Sequence, residues 1–179
     1  RERSSWFYTQ PPQTERERLY LQLWQILQRL EESERAEGMQ RLRAELGPIP
    51  SDSGSLPLQR EDLRQLVAGG LITVGGHACT HPKLTTLPAA QKREEIERCR
   101  SVLSQLTGEA ITGFAYPFGD RDEEAKSFTQ AAGYSWAVCT HSAPLDRRTS
   151  DLFDLPRMQV MNWDGNELLS ELNGLAEAA

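Results

Sequence analysis

The sequence of 179 residues lacks paired cysteines: it has three, Cys79, Cys99 and Cys139, and no Cys-x-x-Cys. An odd, scattered set excludes a disulfide framework, and reduced thiols fit a cytoplasmic compartment better than an oxidising one. Long apolar runs are missing as well. The stretch Leu71-Ile72-Thr73-Val74 is far short of the roughly 20 residues that a transmembrane helix needs, so no membrane segment is expected. Positive charge is not in excess. Lys and Arg number 20 against 26 Asp and Glu, a net charge of -6, and no basic stretch stands out, which excludes a nucleic-acid partner. There is no internal repeat, no low-complexity tract and no signal-peptide pattern. The chain starts at Arg1 within polar sequence, and we read it as a piece of a longer parent.

What is present is a globular balance, 38% hydrophobic and 26% charged, sized for one domain with a small appendage. Residues 1–14 read as a polar arm. Residues 15–46 carry a helical stripe (Leu19, Leu23, Ile26, Leu27, Leu30), with Gly38 as the expected break. The Gly-, Pro- and Ser-rich 47–57 reads as a loop. Residues 58–67 read as a helix with Leu63, Leu66 and Val67 on its buried face, ended by Gly69-Gly70. A buried strand is expected over 71–75. Helices are expected over 88–106, 122–132 and 165–176, and strands over 111–116, 134–139 and 155–160. Strands alternating with helices predict parallel βαβ units in an α/β fold. Four strands are few for a closed barrel.

The residues able to do chemistry cluster at the expected strand ends, where α/β folds build their sites. Gly75-Gly76-His77-Ala78-Cys79-Thr80-His81-Pro82 holds two of the three histidines. Imidazole is a common zinc ligand, and His-x3-His brings both rings to one side if the segment turns helically. A pair of hydrogen-bonded loop histidines explains the same residues, so both readings stay open at this point. Cys79 is expected to be a packed thiol pointing away from the pair. Tyr116-Pro117-Phe118-Gly119 reads either as a turn exposing N–H groups for an oxyanion or as an ordinary aromatic βα turn. Arg157 is a candidate for orienting a carboxylate or substrate, and His141 for reaching the site. Asp164 is expected to cap the last helix, and Glu94, Glu95 and Glu97 to form a solvated helix face.

Taken in order, these segments resemble the polysaccharide deacetylase family, of the chitooligosaccharide deacetylase or NodB-homology type. Gly75 to Pro82 resembles its second motif, Gly-x-His-Ser/Thr-x-x-His-Pro. Phe114-Ala115-Tyr116-Pro117-Phe118-Gly119 resembles the Phe-Ala-Tyr-Pro-Tyr-Gly form of its third. Leu155-Pro156-Arg157 with Val160 resembles a late strand of the same branch. The resemblance spans about residues 58–172. It implies a distorted (β/α) barrel, here partial, and hydrolysis of N-acetyl (sometimes O-acetyl) groups on a glycan. It also implies a divalent metal, zinc by preference, held by one Asp and two His. By position the histidines are His77 and His81. Tyr116 matches the backbone oxyanion donor, and Pro117, Phe118 and Trp163 are carried over as substrate contacts.

The family's first motif, Thr-Phe-Asp-Asp-Gly, has no counterpart, since the sequence contains no Asp-Asp pair. The third motif also lacks the Arg of other branches, and no final Leu-His motif is evident. The expected organisation is therefore an arm and helical insertion over 1–57 and the later part of a deacetylase-like barrel over 58–179. The leading expectation is a metal-dependent deacetylase incomplete in this chain. The alternative is a non-catalytic, degenerate module that binds carbohydrate or a partner domain, and a hydrolase of a small amide is a third reading. A missing strand should leave a sheet edge that the helices of 15–46, further parent domains or a second copy of the chain must cover.

Overall fold

In the computed structural model the described residues are 10–30, 32–47, 57–146, 148 and 150–177. Residues 1–9 of the expected arm and 48–56 of the expected loop lie outside them. The chain divides into two compact units, residues 1–56 and 57–179.

The first unit holds α1 (Glu15–Leu27) and α2 (Glu32–Leu46). Thr14 starts α1 with a reciprocal box: its hydroxyl accepts from the Glu17 N–H, and Glu17 reaches back to the Thr14 N–H. The expected break at Gly38 does not occur. Gly38 sits inside α2, and α1 ends at Leu27 instead. One glycine costs a helix only about 1 kcal/mol against alanine, and here strong helix formers surround it.

The second unit is built around β1 (Gly113–Ala115) and β2 (Trp136–Val138), paired in parallel with Gly113 opposite Trp136. Single parallel bridges extend the pair on both sides, Gly76 to Phe114 and Val138 to Leu155. The order across is thus Gly76, β1, β2, Leu155, a partial (β/α) barrel that does not close. The helices α3 (Arg60–Ala68), α4 (Ala89–Thr107), α5 (Glu123–Ala131) and α6 (Gly165–Glu177) complete it, α4 packing on both α3 and α5. Gly108 closes α4 in the left-handed region, and Asp122 caps α5 through the Ala125 N–H.

Leu84, Ile96, Ile111, Phe114, Tyr116, Ala125, Tyr134 and Ala137 make the core. The Phe114 ring meets Tyr116 edge-on and Tyr134 at a tilt, with centroids 5.3 and 5.1 Å apart. Among the described residues there is one buried charge. Lys92 is 2% exposed and donates to Asp122 and Glu124 at 2.7 and 2.9 Å.

Three expectations need correction. Residues 71–75 are not a buried strand: Leu71 is 93% exposed, and only Gly76 pairs, donating to the Gly113 carbonyl and accepting from the Ala115 N–H, both at 2.8 Å. A ladder needs a partner row, and three-residue β1 extends no further along it. The 155–160 strand shrinks for the same reason. Leu155 and Arg157 exchange backbone bonds with Ala137, Cys139 and His141, while Val160 is exposed. On α3, Leu66 is exposed and only Leu63 and Val67 are half-buried.

Candidate functional site

The C-terminal ends of the four rungs lie along one edge, and the site residues follow from that. Immediately past Gly76, the His77 ring bonds through Nδ1 to the Ala115 carbonyl at 2.7 Å. A carbonyl only accepts, so Nδ1 carries the proton and Nε2 keeps its lone pair. This is the arrangement a metal-binding histidine uses: one nitrogen tied to a backbone carbonyl, the other free to ligate. His81 lies edge-on to His77 with ring centroids 4.7 Å apart, and Phe118 lies edge-on to His81 at 4.5 Å. Both histidines are exposed.

The pair is brought together by a loop and not by the helical turn expected from its spacing. Ala78 and His81 take positive φ, 60° and 59°, and Phe118 takes 59°. Such values are uncommon for residues with a side chain, and they cluster at functional sites. Ala78 follows His77 directly, His81 is one of the pair, and the Phe118 ring meets the His81 ring. Gly76 answers a different need, close approach. A Cβ there would run into the Tyr134 hydroxyl and the Phe114 ring, so only glycine brings His77 this near the sheet.

Glu95 holds the loop. Its carboxylate accepts from the Cys79 N–H at 2.7 Å, the Thr80 N–H at 2.9 Å and the Thr80 hydroxyl at 2.9 Å. The expected solvated face therefore holds only for exposed Glu94 and Glu97. Glu95 lies one residue before buried Ile96 and three after buried Lys92, and that position on α4 was the available signal. Cys79 is exposed, not packed. Its thiol is nonetheless pushed above its ordinary value, by partial burial first and by Glu95 next.

The Tyr116 side chain is buried and donates to the Phe153 carbonyl at 2.9 Å. Burial pushes its phenol up to about 12. Its backbone N–H donates to the Val138 carbonyl at 3.1 Å, so an oxyanion role would ask that hydrogen to serve two acceptors. Pro117 is buried and Phe118 is exposed over His81. Asp120, next in the turn, accepts from the Thr85 N–H and hydroxyl at 2.8 and 2.9 Å, tying this turn to residues 84–86. Arg157 is turned to its own neighbourhood: its Nε donates to the Cys139 carbonyl at 3.2 Å. Trp163 is half-buried. Asp164 caps α6 as expected, accepting from the Asn166 and Glu167 N–H groups.

His141 belongs to a second cluster. Its Nδ1 lies 2.7 Å from the Cys139 Sγ and 3.2 Å from Arg121, and Arg121 Nε also donates to Asp154 at 2.7 Å. Sequence reading missed Arg121 and Asp154, which stand 33 residues apart. Burial pushes the Cys139 thiol up. Among the described residues the only group of three metal-capable side chains is Cys139, His141 and Asp154. Among the described residues no carboxylate completes a three-ligand set with the His77–His81 pair.

A sequence profile of the family described as polysaccharide deacetylase matches residues 24–137. No curated protein matches the chain. Among solved structures, a polysaccharide deacetylase from Bacillus cereus superposes with a TM-score of 0.59 at 21% identity, covering 65% of this chain and 37% of that one. A Streptococcus pyogenes deacetylase in complex with acetate gives 0.60 at 18% identity, with 65% and 51% covered. A deacetylase domain from Bordetella bronchiseptica gives 0.52 at 15%, with 56% and 48% covered. These likenesses establish the fold, and the chain spans about a third to a half of the length of each.

Proposed function

The chain belongs to the polysaccharide deacetylase family, and on that premise we propose that it forms the histidine-bearing part of a metal-dependent hydrolase removing acetyl groups from an N-acetylated glycan. The observation that carries the reading is the His77 Nδ1 bond to the Ala115 carbonyl. It leaves Nε2 as the ligating atom, beside His81. A divalent ion bound there, zinc by preference, would supply Lewis acidity toward the acetyl carbonyl and toward water.

This chain's own residues would then do three things. His77 and His81 hold the ion. Glu95 and the Gly76 close approach keep the two rings in place. Phe118, 42% exposed beside His81, and Trp163 offer faces on which a sugar ring can lie. The Tyr116 N–H is the proposed oxyanion donor, sharing its hydrogen with Val138. The base and the carboxylate ligand have no Asp-Asp source in this sequence, so both would come from another segment of a longer protein. That same lack favours the second reading, a glycan-binding module without catalysis.

Zinc calorimetry on the chain, paired with acetate release from an N-acetylglucosamine oligosaccharide, tests both. His77→Ala and His81→Ala should each lower the zinc stoichiometry by one equivalent relative to the unaltered chain. A stoichiometry unchanged in both would sink the metal assignment. Zinc at the pair, with no acetate released even by the longer parent, would replace the enzyme with the binding module.

A further inference from the structure

Past the end of β2, three metal-capable groups converge from two segments of chain. Cys139 Sγ, His141 Nδ1 and an Asp154 carboxylate oxygen all lie within 4.8 Å of one another. Ligand atoms around a tetrahedral zinc, at 2.0–2.3 Å from the ion, are about 3.3–3.8 Å apart. The thiol and imidazole, now 2.7 Å apart, would open slightly and the carboxylate would close in.

The protonation pattern suits a metal. His141 Nδ1 lies 3.2 Å from the Arg121 guanidinium and 2.7 Å from the Cys139 Sγ. Arginine has no acceptor atom, so Nδ1 is the acceptor and holds a lone pair pointed into the cluster. Cys139 is fully buried and its Sγ also reaches the Leu155 carbonyl at 3.1 Å. The cation position is filled by Arg121, whose guanidinium touches both Asp154 and His141 and also donates to the Gly119 carbonyl at 3.1 Å.

We propose that Cys139, His141 and Asp154 form a second divalent-metal site, suited to a borderline-soft ion such as zinc, with Arg121, which pairs with Asp154, as the cation that competes for it. A thiolate, an imidazole and a carboxylate are a zinc-type ligand set that leaves a fourth position open. On binding, the Cys139 thiol releases its proton to solvent, Asp154 exchanges Arg121 for the ion, and Arg121 keeps its bond to Gly119. The site is separate from the His77–His81 pair and does not rest on the deacetylase reading.

Cobalt(II) titration of the chain, read by absorption, tests it. A thiolate ligand produces a near-ultraviolet charge-transfer band that the histidine pair cannot. The band should saturate at one equivalent and persist in the His77→Ala/His81→Ala double variant. It should vanish in Cys139→Ser and in His141→Gln. The second variant changes an exposed ring, so it guards against misfolding. Arg121→Gln should tighten cobalt binding at least tenfold. Absence of the band, or its survival in His141→Gln, overturns the proposal whatever happens at His77 and His81.

Discussion

Thr80 donates to Glu95 twice, through its N–H and its hydroxyl, both at 2.9 Å. One helix carboxylate thereby sets the course of the loop that carries both histidines. Glu95→Ala should weaken zinc binding at the pair by 10- to 100-fold, the range for outer-shell partners of metal ligands. Glu95→Gln, which keeps an acceptor oxygen, should lose less. Calorimetry on the two variants measures the difference, and equal losses would mean that charge and not hydrogen bonding matters.

Gly76→Ala puts a methyl group against the Tyr134 hydroxyl and the Phe114 ring. Overpacking of this kind costs about 1–3 kcal/mol, and His77 must move with the backbone. Urea unfolding should show the lost stability, and zinc affinity should fall in the folded protein.

Alkaline stability should depend on Tyr116. Its folded value, about 12, lies above the ordinary 10.0. The unfolded chain therefore ionises first as pH rises. The contribution is complete below pH 10 and is lost between about 10 and 12, at about 1.4 kcal/mol per pH unit. Tyr134 is shifted in the same direction, by burial first. Tyr116→Phe should reduce the slope of stability against pH over that window, and at neutral pH it should cost about 1 kcal/mol for the bond to Phe153.

Acid stability turns on Lys92 and Asp122. Burial works to raise the Asp122 carboxyl, but the Lys92 ammonium outweighs it and holds the group below its ordinary 3.8. A depressed carboxyl contributes above its ordinary value and loses that contribution as pH falls through the folded one, so the loss begins below about pH 4. Lys92→Met, which fills the same buried space, should flatten that acid slope. It should change neutral stability by less than about 1 kcal/mol, because Asp122 and Glu124 stay hydrated at 40% and 46% side-chain exposure. Lys92→Ala leaves a cavity and should cost about 2 kcal/mol. Urea melts between pH 3 and 7 check both.

The helices were legible because their signals are local. Ile96 and Cys99 mark the inner side of α4, Gly108 its end, and Asp122 and Asp164 the starts of α5 and α6. The histidine motif was legible for the same reason, since His77 and His81 are four residues apart. Strand extents were not. Leu71 and Ile72 carry a strand composition yet stay exposed, because pairing depends on a partner segment that composition does not reveal.

The sequence by itself determined the α/β order, the family and the two histidines, all written in short-range pattern. The tertiary structure alone decided how they are used. It set the His77 proton on Nδ1 through Ala115, 38 residues away, and turned Glu95 from a surface charge into a loop clamp. It also gathered Cys139, His141, Asp154 and Arg121 into one cluster. Hydrogen bonds and ligand sets are short-ranged in space, and which residues come within 3 Å of each other is settled only when the parallel rungs align.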